Sequence, residues 1–261
     1  MPDTVVITRP LAQAGPLAER VAALGRPVEL LPLLEIHALA DQAALALALA
    51  DLRAYAMVAF VSPNAIDAAF AHIDAWPAGV TLAVLGEGSR AALAAHGVTP
   101  ACADIVSPHD AARSDSEHLL ESLDLARLRG RRVLIVRGDG GRELMGEGLR
   151  RAGVEVRFVT AYRRAVPALT PALAATLRRL LAQRNDWVIT SSEALRGLMG
   201  LLAALDGEAA GAQHNVAKMQ QQHLIVPHAR IAQTASDLGF TRLTLTGSGD
   251  ERVLAALQSR P

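Results

Sequence analysis

Residues 131–164, RRVLIVRGDGGRELMGEGLRRAGVEVRFVTAYRR, read as a strand, a glycine-rich turn, a helix, a glycine and a second extended run. Arg131–Val136 is apolar and β-branched, the composition of a strand buried on both faces. Gly138-Asp139-Gly140-Gly141 can cradle an anion or be only a loop. Gly153 sits where a left-handed residue ends a helix. The same reading applies near the N-terminus, in residues 5–36, VVITRPLAQAGPLAERVAALGRPVELLPLLEI. At a constant offset of 128, Arg9 meets Arg137, Glu19 meets Glu147, Gly25 meets Gly153 and Val28 meets Val156.

The correspondence continues. AFVSPNAI (59–66) matches VITSSEAL (188–195), pairing Ser62 with Ser191. LAVLGEGSRAALAAHG (82–97) matches LIVPHARIAQTASDLG (224–239), each closing on a glycine, Gly97 and Gly239. SDSEHLLESL resembles SGDERVLAAL, both acidic helix starts. The offset then grows by 13, which places an insertion in DGEAAGAQHNVAKMQQQH (206–223), read as a polar surface loop. An internal repeat of this kind is one supersecondary unit used twice.

Strand-like runs (TVVIT, MVAFV, TLAVL, RRVLIV, DWVIT, HLIVP) alternate with helical ones such as LAERVAALG, ELMGEGLRRAG and SRAALAAHG. Alternation of this type specifies an α/β fold with parallel sheets. We expect two flavodoxin-like domains of about five strands each. The runs VELLPLLEIHA and VEVRFVTAYRRAVP exceed an ordinary strand of about 5–6 residues. They predict a swapped connectivity: residues 1–36 with 168–261 in one domain, 39–160 in the other, and 30–38 and 158–167 as a two-stranded β-ladder hinge. The competing arrangement is two sequential domains divided near residue 128.

Composition narrows the function classes. The chain has 261 residues, 51% of them hydrophobic, with 26 basic and 26 acidic residues. A zero formal charge gives no bulk attraction to nucleic acid or a membrane surface. Lys218 is the single lysine, so arginine abundance reflects composition before it reflects anion binding. Cys102 has no partner cysteine, which fits a cytoplasmic protein without an internal disulfide. MPDTVVITRP lacks the features of a signal peptide, and AALALALADLRAYAMVAFV is interrupted by Asp51 and Arg53. The eight histidines form no metal-binding spacing, so no metal site is expected.

In open α/β sheets ligands bind beyond the carboxyl ends of the strands. Those positions hold Thr8-Arg9-Pro10, Ser62-Pro63-Asn64, Gly86-Glu87-Gly88-Ser89, Arg137-Gly138-Asp139, Thr190-Ser191-Ser192 and Pro227-His228-Ala229-Arg230. Hydroxyls, arginines and free helix N-termini at such ends favour a polyanionic ligand. Each also has a plain structural reading. Ser62 and Ser191 suit helix caps, Asp115-Ser116-Glu117 suits a helix start, Tyr162 suits packing on a half-buried strand, and His228 suits a hydrogen-bonded loop. GEGSRA (86–91) fits G-x-G-x-x-A with Asp104 downstream, so a dinucleotide or small-anion binding protein is the alternative. Against it, the motif follows a middle strand, and its repeat partner PHARIA lacks glycine.

The ordered set VVITRP, FVSPNAI, LAVLGEGSRAAL, DSEHLL, VRGDGGREL…TAYRR, WVITSSEAL and LIVPHARIAQTASDLGF resembles the uroporphyrinogen-III synthase family across nearly the whole chain. The resemblance implies a cyclising hydro-lyase of haem biosynthesis that needs no metal or organic cofactor. Its substrate would be hydroxymethylbilane, a linear tetrapyrrole with many carboxylates, closed with loss of water and inversion of the last pyrrole ring. No residue pattern specifies an obligate oligomer, and we expect a monomer in transient contact with the preceding enzyme of the pathway. By family match, Tyr162 would assist departure of the hydroxyl. Arg9, Ser62, Asn64, Gly86, Ser89, Arg137, Gly138, Ser191 and Ser192 would bind substrate. The chain departs from the family pattern at VPHARI, where members have a small Gly/Thr-rich turn. There His228 and Arg230 would either supply charged contacts or leave that corner binding less of the substrate.

Overall fold

The structure, a computed structural model, describes residues 3–110, 115–140, 143–208 and 214–259. In chain order the first elements are β1 (Thr4–Ile7), α1 (Leu11–Ala23), β2 (Val28–Leu30), β3 (Glu35–Ala38) and α2 (Ala43–Ala50). Next come β4 (Met57–Phe60), α3 (Pro63–Phe70), β5 (Thr81–Val84), α4 (Glu87–Ala95), β6 (Ile105–Val106) and α5 (Ser116–Glu121). They are followed by α6 (Leu125–Leu128), β7 (Arg132–Gly138), α7 (Leu144–Arg151), β8 (Glu155–Ala165) and α8 (Pro171–Leu181). The chain continues through β9 (Asn185–Val188), α9 (Ser192–Glu208), α10 (Asn215–Gln220) and β10 (His223–Val226). It ends with α11 (Ala229–Asp237), β11 (Leu243–Leu245) and α12 (Asp250–Gln258).

Two compact units result: Met1–Glu35 with Ala165–Pro261, and Ile36–Arg164. The first holds a five-stranded sheet in the order β11-β10-β9-β1-β2, and every adjacent pair is parallel. The second holds a six-stranded sheet, β3-β8-β7-β4-β5-β6. With β7 and β8 set in the places of β1 and β2, and β4, β5 and β6 in those of β9, β10 and β11, the strand order is the same. It is the flavodoxin-like 2-1-3-4-5 order, to which the second unit adds β3 outside β8.

The strands are apolar on both sides because both sheet faces are covered. Along β1, Val5 and Ile7 enter one core with Leu17 and Val21 of α1 and Val253 and Leu257 of α12. Val6, between them, enters the other with Trp187, Leu195 and Leu224. In the second unit Val58 and Phe60 of β4 face one core, while Met57 and Ala59 face the other. Fully burying each such side chain contributes on the order of 1.5–3 kcal/mol, so the period-2 alternation is held from both faces. Helix ends follow the glycines: Gly25 and Gly153 take φ of +74° and +81°, a region that costs glycine nothing. Asp115 caps α5 by accepting from the His118 N–H at 3.0 Å. Burial alone would raise its carboxyl, but the hydrogen bonds and the charge of His118 outweigh this and hold it below the usual range.

The structure departs from the sequence expectation in three places. Residues 28–38 are two short strands, not one long run. Pro32 has no N–H for a ladder, and Leu31, Leu33 and Leu34 turn into the core. The counterpart β8 runs unbroken for 11 residues. Helix α1 starts at Leu11, before Pro16, because its buried face of Ala14, Leu17 and Val21 spans the proline. In the described part of 206–223 the chain is not a loop: Asp206 belongs to α9, and α10 buries Met219 in the core. Asp206 accepts from the N–H groups of Asn215 (2.9 Å) and Val216 (3.1 Å) and from the Asn215 side chain (2.8 Å).

Among the described residues no helix is long and apolar enough to cross a membrane.

Candidate active site

In the second unit the candidate residues gather at the carboxyl ends of β7, β4 and β5. Ser62 follows β4 and caps α3, its Oγ accepting from the Ala65 N–H at 3.2 Å. The same Oγ lies 3.0 Å from the hydroxyl of Tyr162. Asn64 stands in the first turn of α3, half-buried. Gly86 precedes α4 in extended backbone, and Ser89 is buried within that helix. The two helix starts adjoin, since a Cβ on Gly88 would lie 3.7 Å from Pro63 Cγ.

A β-bulge brings Tyr162 to this point. Residues of β7 and β8 pair in register up to Arg137 with Thr160, and then Gly138 pairs with Tyr162, skipping Ala161. Up to that step, Val159 and Ala161 face the core that holds α3, while Val156 and Phe158 face the other. Strict alternation would send Tyr162 to the side of Phe158. The extra residue turns it to the side of Ala161 and Ser62, the re-aiming that bulges perform. The ring then lies close against Gly138: a Cβ there would stand 2.9 Å from Tyr162 Cζ and 3.1 Å from its hydroxyl oxygen. Gly138 is therefore a space-maker for the tyrosine.

Arg137 points to the opposite face. Its guanidinium carbon sits 4.6 Å from the centroid of the Phe158 ring, and that of Arg150 sits 5.2 Å from the same centroid. Glu143 reaches both cations only at 3.9 Å. Arg137 Nη1 is buried and meets no hydrogen-bond partner among the described residues. Sequence reasoning did not single out Phe158 or Arg150. A signal for the ring exists in Gly146: a glycine inside an amphipathic helix marks a close neighbour, and a Cβ there would collide with Phe158.

In the first unit the candidates are engaged within the fold. Arg9 forms a 2.6 Å ion pair with Asp250 at the start of α12. Ser191 accepts from the Ala194 N–H at 3.3 Å, as a cap. Ser192 is buried and accepts from the Thr234 hydroxyl at 3.1 Å, tying α9 to α11. His228 precedes α11 with extended backbone and its carbonyl accepts from Ile231 and Ala232. Arg230 is exposed in the first turn. The repeat-related arginines thus differ in use: Arg9 is neutralised by a carboxylate, Arg137 is laid on an aromatic ring.

Of the alternative motif, Asp104 is bonded to the Thr81 hydroxyl at 2.9 Å. A groove along α4 is lined by Glu87 and Arg90 of GEGSRA with Val98 and Ile105, and Gly86, Gly88 and Ser89 of the same stretch do not line it. Among the described residues no group of three or more His, Cys, Asp or Glu side chains could hold a metal ion.

A family model described as "Uroporphyrinogen-III synthase HemD" matches residues 15–245. The chain is 34% identical over 262 residues to the uroporphyrinogen-III synthase of Salmonella typhimurium LT2, covering 98% of this chain and all of the relative. It is 30% identical over 260 residues to that of Escherichia coli K12, with 98% and 100% covered. Among solved structures, uroporphyrinogen-III synthetase from Helicobacter pylori 26695 aligns over the whole of both chains at a TM-score of 0.60 and 14% identity. A mutant uroporphyrinogen III synthase from Thermus thermophilus aligns at 0.53 and 13%, over 99% and 100%. At these identities the structural likeness speaks for the fold.

Proposed function

The chain belongs to the uroporphyrinogen-III synthase family, and we propose that it closes hydroxymethylbilane to uroporphyrinogen III, with loss of water and inversion of the last ring. End-to-end similarity to curated synthases carries this reading. The geometry of the second unit fits it. Loss of the terminal hydroxyl needs a proton donor beside the departing oxygen, and a buried phenol held by a serine is such a group. The C–O electrons leave with the oxygen, which takes the phenolic proton and departs as water. The substrate carbon is left cationic and is attacked by the substituted carbon of the last ring, which becomes a spiro centre. The bond from that centre to its original methylene bridge then breaks, and the cationic methylene joins the free carbon of the same ring, whose proton is lost on rearomatisation and restores the phenol. Holding the chain so that this carbon attacks is mainly a matter of positioning.

The carboxylates need cations and N–H donors. Arg137 is the first candidate, with a buried Nη1 that has no partner among the described residues, on a guanidinium oriented by Phe158. Asn64, Gly86, Ser89 and the rim of the first unit (Arg9, Ser191, Ser192, His228 and Arg230) are proposed as further contacts. The reading calls on no cofactor. It is completed by a monomer in the cytoplasm, in transient contact with the preceding pathway enzyme, and by the β3 and β8 runs as the connection between units.

The test supplies freshly made hydroxymethylbilane and identifies the uroporphyrin isomer after oxidation. Isomer III is expected; isomer I alone, with or without the protein, refutes the synthase reading. Tyr162→Phe is expected to lower kcat by about 10²-fold, the lower end for loss of a general acid.

A further inference from the structure

We propose that Ser62 is a positioning residue that acts through Tyr162: its hydroxyl donates to the phenolic oxygen and so directs the phenol's own proton to the departing hydroxyl. This rests on the synthase reading above and deepens it. The argument is one of hydrogen-bond capacity. A serine hydroxyl has one proton and two lone pairs, and a phenol can donate or accept. The Ala65 N–H already occupies Ser62 Oγ as acceptor, at 3.2 Å. That bond and the β4–α3 turn fix the oxygen, since Ser62 is the residue before Pro63 and its backbone is locked extended at φ −165° and ψ 158°. The remaining proton of Ser62 has Tyr162 Oη 3.0 Å away. With that proton on the phenolic oxygen, the O–H of Tyr162 is not spent on Ser62.

The donation also serves the step itself. As the phenol gives up its proton, negative charge grows on Oη, and a donor already aimed at that atom stabilises it without reorganisation. The ring is prevented from swinging away by Gly138, on which it rests, and by the bulge that turned it. Ser62 therefore has two separable duties: accepting from Ala65 supports α3, and donating to Tyr162 supports the chemistry.

The experiment measures kcat and KM for Ser62→Ala, Ser62→Thr, Tyr162→Phe and the double variant Ser62→Ala/Tyr162→Phe, well below their melting temperatures. Ser62→Ala is expected to lower kcat about tenfold with KM within about twofold, as for a bond stronger in the transition state than in the ground state. Ser62→Thr, which keeps both duties, is expected to restore most of kcat. The double variant is expected to be no slower than Tyr162→Phe, because a residue acting through the phenol has nothing left to act on. Losses that multiply in the double variant, or a Ser62→Ala with unchanged kcat, overturn the proposal. An unchanged kcat in Tyr162→Phe overturns the role of the tyrosine and this proposal with it, while wild-type formation of isomer III still upholds the synthase.

Discussion

Gly138→Ala tests the arrangement by adding a single methyl group. Gly138 is absent from the glycines with positive φ, so its backbone accepts alanine and the effect is one of space. The new carbon would stand 2.9 Å from Tyr162 Cζ, 3.0 Å from Cε2 and 3.1 Å from the hydroxyl oxygen. Carbon atoms in good contact lie about 3.5–4.0 Å apart, so the ring must retreat by roughly 0.6 Å. The hydroxyl shares that movement. The 3.0 Å bond to Ser62 is then stretched or bent towards the limit of hydrogen bonding, about 3.5 Å. Overpacking costs about 1–3 kcal/mol, partly offset by about 0.4–1 kcal/mol from the stiffer unfolded chain. The protein should stay folded at 25 °C with a lower melting temperature. A misplacement of about 1 Å can cost on the order of 10²-fold in rate, so kcat should fall about ten- to a hundredfold. The assay follows both turnover and isomer ratio, since unguided closure raises isomer I as the enzyme slows. A Gly138→Ala protein with kcat within twofold of the parent would show that the ring is not confined as described, and the account of Tyr162 would go with it.

Two further substitutions probe other parts. Arg137→Ala should raise KM by about tenfold, the loss of roughly one charge-assisted hydrogen bond; unchanged saturation would make Arg137 a packing residue on Phe158. Asp206→Ala should destabilise the protein by about 1–2 kcal/mol by removing the acceptor of three hydrogen bonds at the start of α10. Although desolvation raises the Asp206 carboxyl, the bonds from Asn215 and Val216 prevail and depress it. A depressed carboxylate contributes stability above its ordinary value that is lost as pH falls through the folded one. The gap between wild type and Asp206→Ala in chemical denaturation should therefore be full near pH 7 and close as pH drops below about 4; a gap that persists in acid would assign the effect to packing.

Much of the fold was legible because its signals are local. Val5, Val6 and Ile7 announce a strand covered on both faces, and Gly25 and Gly153 announce helix ends. The two sheets share one strand order apart from the added β3. The site was legible only as a set of strand ends. Nothing near Tyr162 in sequence points to Ser62, 100 residues away, because the contact depends on a one-residue slip in the pairing of β7 and β8. Alternation would have aimed the tyrosine at the wrong face. The salt bridge of Arg9 with Asp250 spans 241 residues and separates two arginines that the repeat had made equivalent. Residues 31–34 show the opposite lesson. The apolar run promised a continuous strand, and Pro32 with three inward-turning leucines divided it.

The discontinuous first unit has a consequence for synthesis on the ribosome. Strand β1 is an inner strand of its sheet, yet its partner β9 pairs Thr4 with Asn185. Until that stretch emerges, β1 has only the short β2 beside it, and an isolated pair of strands is marginal in water. At about 5–20 residues per second the wait lasts on the order of ten to thirty seconds. Residues 36–164, complete in themselves, emerge during that interval. A later segment of the nascent chain thus folds onto an earlier one, and Val5, Val6 and Ile7 of β1 wait for their partner strand until it arrives.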